Sequence, residues 1–144
     1  MIFFETMLIV KKFKFEAAHR IAKGYKGICA NIHGHSWNGE IHIQIEKLDQ
    51  YGMGIDFNDI NPFIDIITQQ MDHGILLYKE DHDVVSFVEK QGYKVLLFND
   101  NPTCEVVANY IYDLAIDHFK KKSQHIAVKQ VIIEETCDAK IIWP

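Results

Sequence analysis

His33 and His35 stand one residue apart in the run Cys29-Ala30-Asn31-Ile32-His33-Gly34-His35, and His19 closes the run Phe15-Glu16-Ala17-Ala18-His19 just before Arg20. Side chains alternate faces along an extended chain, so two histidines at that spacing point the same way. A third imidazole from a neighbouring strand would complete a three-nitrogen zinc site with its fourth position open, the arrangement of catalytic zinc. The plainer reading of the pair is two strand-end histidines hydrogen-bonded to backbone. Cys29, four residues ahead of His33, is then either a fourth ligand or a base beside the metal. Arg20 is the sole arginine and directly follows the third histidine.

The chain has 144 residues, 48% of them apolar, and a formal net charge of -5. That length suits one domain over residues 1–144, with Met7 as a possible alternative start and 1–6 as a frayed end. The acidic balance argues against general nucleic-acid binding, which needs a basic face. Met1-Ile2-Phe3-Phe4 has neither a basic n-region before it nor the apolar h-region of a secretory leader after it. No segment approaches the roughly 18 apolar residues of a membrane-spanning helix. Cys29, Cys104 and Cys137 make an odd number. A reducing, cytoplasmic setting with free thiols is the expectation.

The elements that must position the histidines follow from the apolar pattern. Residues 8–18 mix Leu8, Val10, Phe13 and Phe15 with lysines and read as a strand with one wet face. A Gly/Lys-rich loop over 23–27 follows. Over 33–46, Ile41, Ile43 and Ile45 alternate with Glu40, His42, Gln44 and Glu46, so His33 and His35 share the inward parity and His42 does not.

A helix is expected from Asn61 as cap with Pro62 at its first position, an apolar stripe of Phe63, Ile64, Ile67 and Met71, and Gly74 as stop signal after Asp72-His73. A short helix over 82–91 and a strand over 94–98 come next. A second long helix opens after Pro102-Thr103 with Glu105 in its first turn, buries Val107, Ile111 and Leu114, and closes on Lys120-Lys121-Lys122. The last strand, 128–135, puts Val131, Ile133 and Glu135 on one face. Either a carboxylate is buried among isoleucines there, or the register shifts. The order implies an α+β fold, an antiparallel sheet with helices on one face.

These pieces, in order, resemble the 6-pyruvoyl-tetrahydropterin synthase family, and within it the bacterial 6-carboxy-tetrahydropterin synthases of the queuosine precursor pathway. The resemblance rests on FEAAHR ending at Arg20, Cys29 with His33-Gly34-His35, Gly54-Ile55-Asp56-Phe57, Asp72-His73, Pro102-Thr103 with Glu105, and Glu135-Thr136-Cys137. It implies the tunnelling fold, whose sheets join into a barrel in a homo-hexamer (a dimer of trimers) with active sites between subunits.

Carried over residue by residue, the resemblance makes His19, His33 and His35 the Zn2+ ligands, Cys29 the catalytic thiol, and Asp72 with His73 the pair that assists proton transfer. Glu135 becomes the carboxylate that anchors the pterin ring, although Glu134 beside it competes for that part. Thr103 and Glu105 would lie near the pterin, with a helix cap and first-turn acid as their plain reading. Arg20, Lys23 and Lys26 are candidates for a triphosphate. The implied activity is a zinc-dependent lyase that turns 7,8-dihydroneopterin triphosphate into 6-carboxy-5,6,7,8-tetrahydropterin with release of acetaldehyde and triphosphate. The alternatives are the 6-pyruvoyl product, formed by triphosphate elimination, a silent pterin-binding scaffold, and a zinc hydrolase that needs no pterin anchor.

Two departures from the family pattern stand out. The segment over 79–98 is long for the compact bacterial members. The four residues from Cys29 to Ile32 also lack the basic residue often found before HGH in carboxy-forming relatives.

Overall fold

The computed structural model describes residues 3–144. Its elements are β1 (Phe3–His19), β2 (His33–Lys47), α1 (Asn61–Met71), β3 (Gly74–Tyr78), α2 (His82–Lys90), β4 (Val95–Phe98), α3 (Cys104–Phe119), β5 (Ile126–Thr136) and β6 (Ala139–Trp143), with short 3-10 turns at Ile28–Ala30 and Phe57–Asp59. They build one α+β unit around a six-stranded sheet in the order β4-β3-β1-β2-β5-β6. Met1 and Ile2, part of the expected frayed end, lie outside the described residues, and β1 is already running at Phe3.

The antiparallel expectation holds for β1, β2, β5 and β6. β3 and β4 extend the sheet in parallel beyond β1, so the whole sheet is mixed. Neither β3 nor β6 was legible in the pattern, because each is a five-residue, largely apolar stretch without clean alternation.

The helices divide between the two faces. Leu76 and Phe98 join the main core with α1 and α3, whereas Leu77 packs with Val85 and Val88 of α2. Neighbouring strand residues point to opposite faces, so α2 covers the other side of β3 and β4. The expected single helical face therefore holds for α1 and α3 only. Both outer strands approach α3: Leu97 and Phe98 of β4 and Ile141 and Trp143 of β6 line one cavity of about 620 Å3 with Val106, Asn109 and Tyr110.

Local signals shift by a residue or so. Ile60 takes the cap position of α1, with Asn61 and Pro62 as its first residues, because Asp56 caps a preceding 3-10 turn by accepting from the Asn58 N–H at 2.8 Å. After α1 the left-handed residue is His73 (φ 57), not Gly74. Gly74 is needed for space instead, since a Cβ there would lie 3.0 Å from the Met71 carbonyl oxygen. α3 starts as expected, with the Thr103 hydroxyl accepting from the Val106 N–H, and it ends at Phe119, so Lys120 is its cap and Lys121 and Lys122 lie beyond it.

The register of β1 and β2 positions the site. Phe15 lies opposite Trp37, Ala17 opposite His35, and His19 opposite His33. Directly opposed residues of an antiparallel pair share a face. The inward row Ile45, Ile43, Ile41, Trp37 is fully buried and continues into His35 and His33. The histidines thus prolong the hydrophobic core to its end.

Candidate metal centre and its cleft

His19, His33 and His35 each bring a nitrogen into a group whose members all lie within 4.8 Å of one another. His19 is 2% exposed, and Trp37 forms the floor, its ring 5.1 Å from that of His19 and 5.7 Å from that of His35. The Trp37 indole is fixed in turn by stacking on Phe15 and by donating to the Ala17 carbonyl at 3.2 Å.

Backbone carbonyls set the tautomers. Nδ1 of His19 lies 2.7 Å from the Pro102 oxygen, and Nδ1 of His33 lies 2.7 Å from the Asn31 oxygen. A carbonyl only accepts, so both Nδ1 atoms carry the hydrogen, and in the neutral ring it is Nε2 that presents the lone pair. Among the described residues, Nε2 of His19 and Nε2 of His35 have no hydrogen-bond partner, and both are buried. Burial, the largest influence, pushes the His19 pKa below its ordinary value, against the pull of the Pro102 carbonyl and Glu135. The open Nε2 atoms of His19 and His35, with the Nδ1–H of His19 and of His33 each fixed by a backbone carbonyl, fit a divalent metal.

Glu135 meets this group from β5. Its Oε1 lies 3.2 Å from Nε2 of His19 and 3.9 Å from Nε2 of His35. The β5–β6 register slips between Glu134 and Thr136, so Glu135 is the extra residue of a bulge. Val131 faces Ile41, Ile133 faces Gly39 and Glu134 faces Asn38 across β2, so plain alternation already carries Glu135 to the inward face at the end of the isoleucine row. Glu134, paired with Lys140 and Asn38, lines a different hollow with Lys12, Asn38 and Glu40. Of the two neighbours, Glu135 is the one at the histidines.

A cleft of about 290 Å3 opens beside His19, and Cys29, Thr103, Cys104, Glu105, Glu135, Thr136 and Lys140 are among its lining residues. Sequence reasoning had placed Cys29, Thr103, Glu105 and Glu135 near the pterin, but not Cys104, Thr136 or Lys140; with β6 unseen, Lys140 had no position to occupy. The two thiols differ. Burial, with Glu135 and Glu105 close by, pushes the Cys104 pKa up to about 12, and its Sγ lies 3.6 Å from the Ile133 oxygen. Cys104 therefore stays a protonated thiol at neutral pH. That leaves Cys29, partly exposed, as the cleft thiol available for chemistry.

Asp72 and His73 stand on another side of the histidines. His73 lines a recess of about 350 Å3 with His35, Gly34, Ser36 and Glu16, separate from the Cys29 cleft. Asp72 holds that corner together: Oδ1 accepts from the Glu16 N–H at 2.8 Å, and Oδ2 lies 2.8 Å from Nδ1 of His73. The Glu16 N–H, then His73, keep the Asp72 carboxyl below its ordinary pKa. The His73 N–H returns a bond of 2.6 Å to the Glu16 oxygen, which holds its backbone in the left-handed region. The imidazole itself is 81% exposed.

Arg20 is turned away from both hollows. Its Nη1 lies 3.5 Å from Oδ2 of Asp81, the cap residue of α2. Lys23 donates to Asp100 at 2.7 Å and sits over the Tyr78 ring. Two cations considered for phosphate thus tie the loop after His19 to the 79–98 segment and the turn that follows it.

A family model described as 6-pyruvoyl tetrahydropterin synthase matches residues 8–143. A 6-carboxy-5,6,7,8-tetrahydropterin synthase of Rickettsia felis is 33% identical over 103 residues, covering 70% of this chain and 74% of the relative. The enzyme of the same name from Aquifex aeolicus is 27% identical and covers 92% of this chain and 94% of its own. Among solved structures, 6-pyruvoyl tetrahydropterin synthase of Plasmodium falciparum superposes with a TM-score of 0.72 at 17% identity, over 95% of this chain and 96% of that one. At that identity the likeness carries the fold alone.

Proposed function

This chain belongs to the 6-pyruvoyl tetrahydropterin synthase family, and we propose that it is a zinc-dependent lyase that converts 7,8-dihydroneopterin triphosphate and one water to 6-carboxy-5,6,7,8-tetrahydropterin, acetaldehyde and triphosphate. Support for this product comes from the curated relatives, which carry the 6-carboxy name. The observation that carries the reading is the convergence of His19, His33 and His35 with the Nδ1 hydrogens of His19 and His33 already committed to carbonyls.

His19, His33 and His35 would hold the ion, and a three-imidazole set with room for another donor suits zinc. When bound, the metal supplies Lewis acidity toward the hydroxyl oxygens of the substrate side chain. Cys29 takes the proton from the side-chain carbon next to such an oxygen. Asp72 orients the His73 imidazole and stabilises its charged form, so that His73 relays protons. Glu135 makes paired hydrogen bonds to adjacent N–H donors on the pterin edge and fixes the ring. Thr103 and Glu105 line the same space.

The Asp72–His73 pair and the Cys29 cleft come together across subunits in this reading. An imidazole left 81% exposed and a cleft of about 290 Å3, at the small end of ligand sites, support a site completed by a neighbouring chain. The outer strands β4 and β6 carry exposed Leu97, Ile142 and Trp143, edges that a barrel-forming hexamer would pair.

Incubation of the zinc-loaded protein with 7,8-dihydroneopterin triphosphate, followed by mass spectrometry of the pterins, is the test. A 6-carboxy product with one acetaldehyde per turnover is expected. A 6-pyruvoyl product would reassign the reaction, and unchanged substrate would remove it.

A further inference from the structure

Glu135 reaches the edge of the imidazole group before any substrate is present. Its Oε1 faces Nε2 of His19 at 3.2 Å and Nε2 of His35 at 3.9 Å. With Nδ1–H of His19 donating to Pro102, its Nε2 offers only a lone pair. A carboxylate oxygen and a lone pair at that distance repel each other unless a proton or a metal ion lies between them. Two donors on one tetrahedral zinc, each about 2.0–2.1 Å from it, sit roughly 3.3 Å apart. The His19–Glu135 separation therefore matches an edge of such a tetrahedron.

We propose that Glu135 is a fourth protein ligand of the metal in the substrate-free enzyme, and that substrate must displace its carboxylate to reach the ion. The inference rests on the reading of the three histidines as a metal site. Glu135 shares the inward face of β5 with Val131 and Ile133, and that parity presents its side chain to the His19–His35 edge. A carboxylate suits this exchangeable position better than a thiolate, which binds zinc as a softer and more persistent donor. Cys29 then stays uncoordinated and free to accept a proton. A metal closed by four side chains has no site for water, so its Lewis acidity is withheld until the pterin arrives. The freed carboxylate is then available to the ring.

The test is metal binding to stripped protein with cobalt(II) as a visible probe, comparing the wild type with Glu135→Gln and Glu135→Ala. Affinity is read by competition with a chelator, and access to the fourth position by titration with azide. Both variants are expected to hold cobalt at least about tenfold more weakly, the lower end of what even second-shell partners cost. Azide should shift their visible spectra at concentrations that leave the wild-type spectrum unchanged. Equal affinity and equal azide response in all three proteins would overturn the proposal and leave Glu135 a pterin anchor alone. If the wild type takes up no cobalt, or if His33→Ala binds it equally well, the metal reading itself falls. Circular dichroism of Glu135→Gln, which keeps the side-chain size, separates lost ligation from lost fold.

Discussion

His19 and His33 are directly opposed across β1 and β2, with ring centroids 4.5 Å apart. The pairing puts two candidate ligands on one face without any loop having to hold them. Replacing His33 by Ala should abolish metal binding while the fold persists, because His33 is a partly exposed strand-end residue. Elemental analysis of the purified variant should show metal well below one equivalent, with an unchanged far-ultraviolet spectrum.

Cys29 and Cys104 line one cleft but differ in reactivity. Iodoacetamide at about pH 8, close to the ordinary thiol pKa, should modify Cys29 and the exposed Cys137 and spare Cys104, whose pKa is pushed up to about 12. Peptide mapping reads this directly. Cys29→Ala should keep its metal and lose about a hundred- to ten-thousandfold in turnover, the usual worth of a positioned base.

Asp72 gives stability a pH signature. Its folded pKa lies below the unfolded value, so its contribution is complete above an unfolded pKa of about 3.9 and is lost as pH falls through the lower folded value. In urea titrations Asp72→Asn should be less stable than the wild type at neutral pH, with the gap closing only under strongly acid conditions. A gap that stays constant down to about pH 2, well below that unfolded pKa, would show that the bonds to Glu16 and His73 do not hold the carboxylate.

Arg20 and Asp81 are both partly shielded, at 25% and 14% side-chain exposure. Removing either one should cost about 1–3 kcal/mol by leaving the other without its partner. The double variant should cost little more than either single one. If Arg20 instead binds phosphate, Arg20→Ala alone would raise KM for the triphosphate while Asp81→Ala would not.

The long strands were readable because their alternation spans many residues, and the inward parity of His33 and His35 came with it. The inward face of Glu135 was readable too, since 131, 133 and 135 share a parity and a carboxylate is indeed set at the end of an isoleucine row. The one-residue bulge against β6 was not, because it leaves no mark in the hydrophobic pattern. The left-handed turn at His73 was missed because Gly74 is the expected residue for it, whereas the bond from the His73 N–H to the Glu16 oxygen, beside that from the Glu16 N–H to Asp72, holds the turn at the histidine instead. The Arg20–Asp81 pair was not readable, because Asp81 is 61 positions away in sequence and meets Arg20 only through the β3–α2 connection, which the alternation did not show.

Trp37, stacked on Phe15 beneath the imidazoles, has a consequence for how the proposed metal would be acquired. Zinc fingers collapse only around their metal, since nothing else organises their ligands. Here the aromatic pair and the β1–β2 ladder organise the three rings. A metal held as proposed would therefore dock on a finished scaffold and leave to a chelator without a cycle of unfolding.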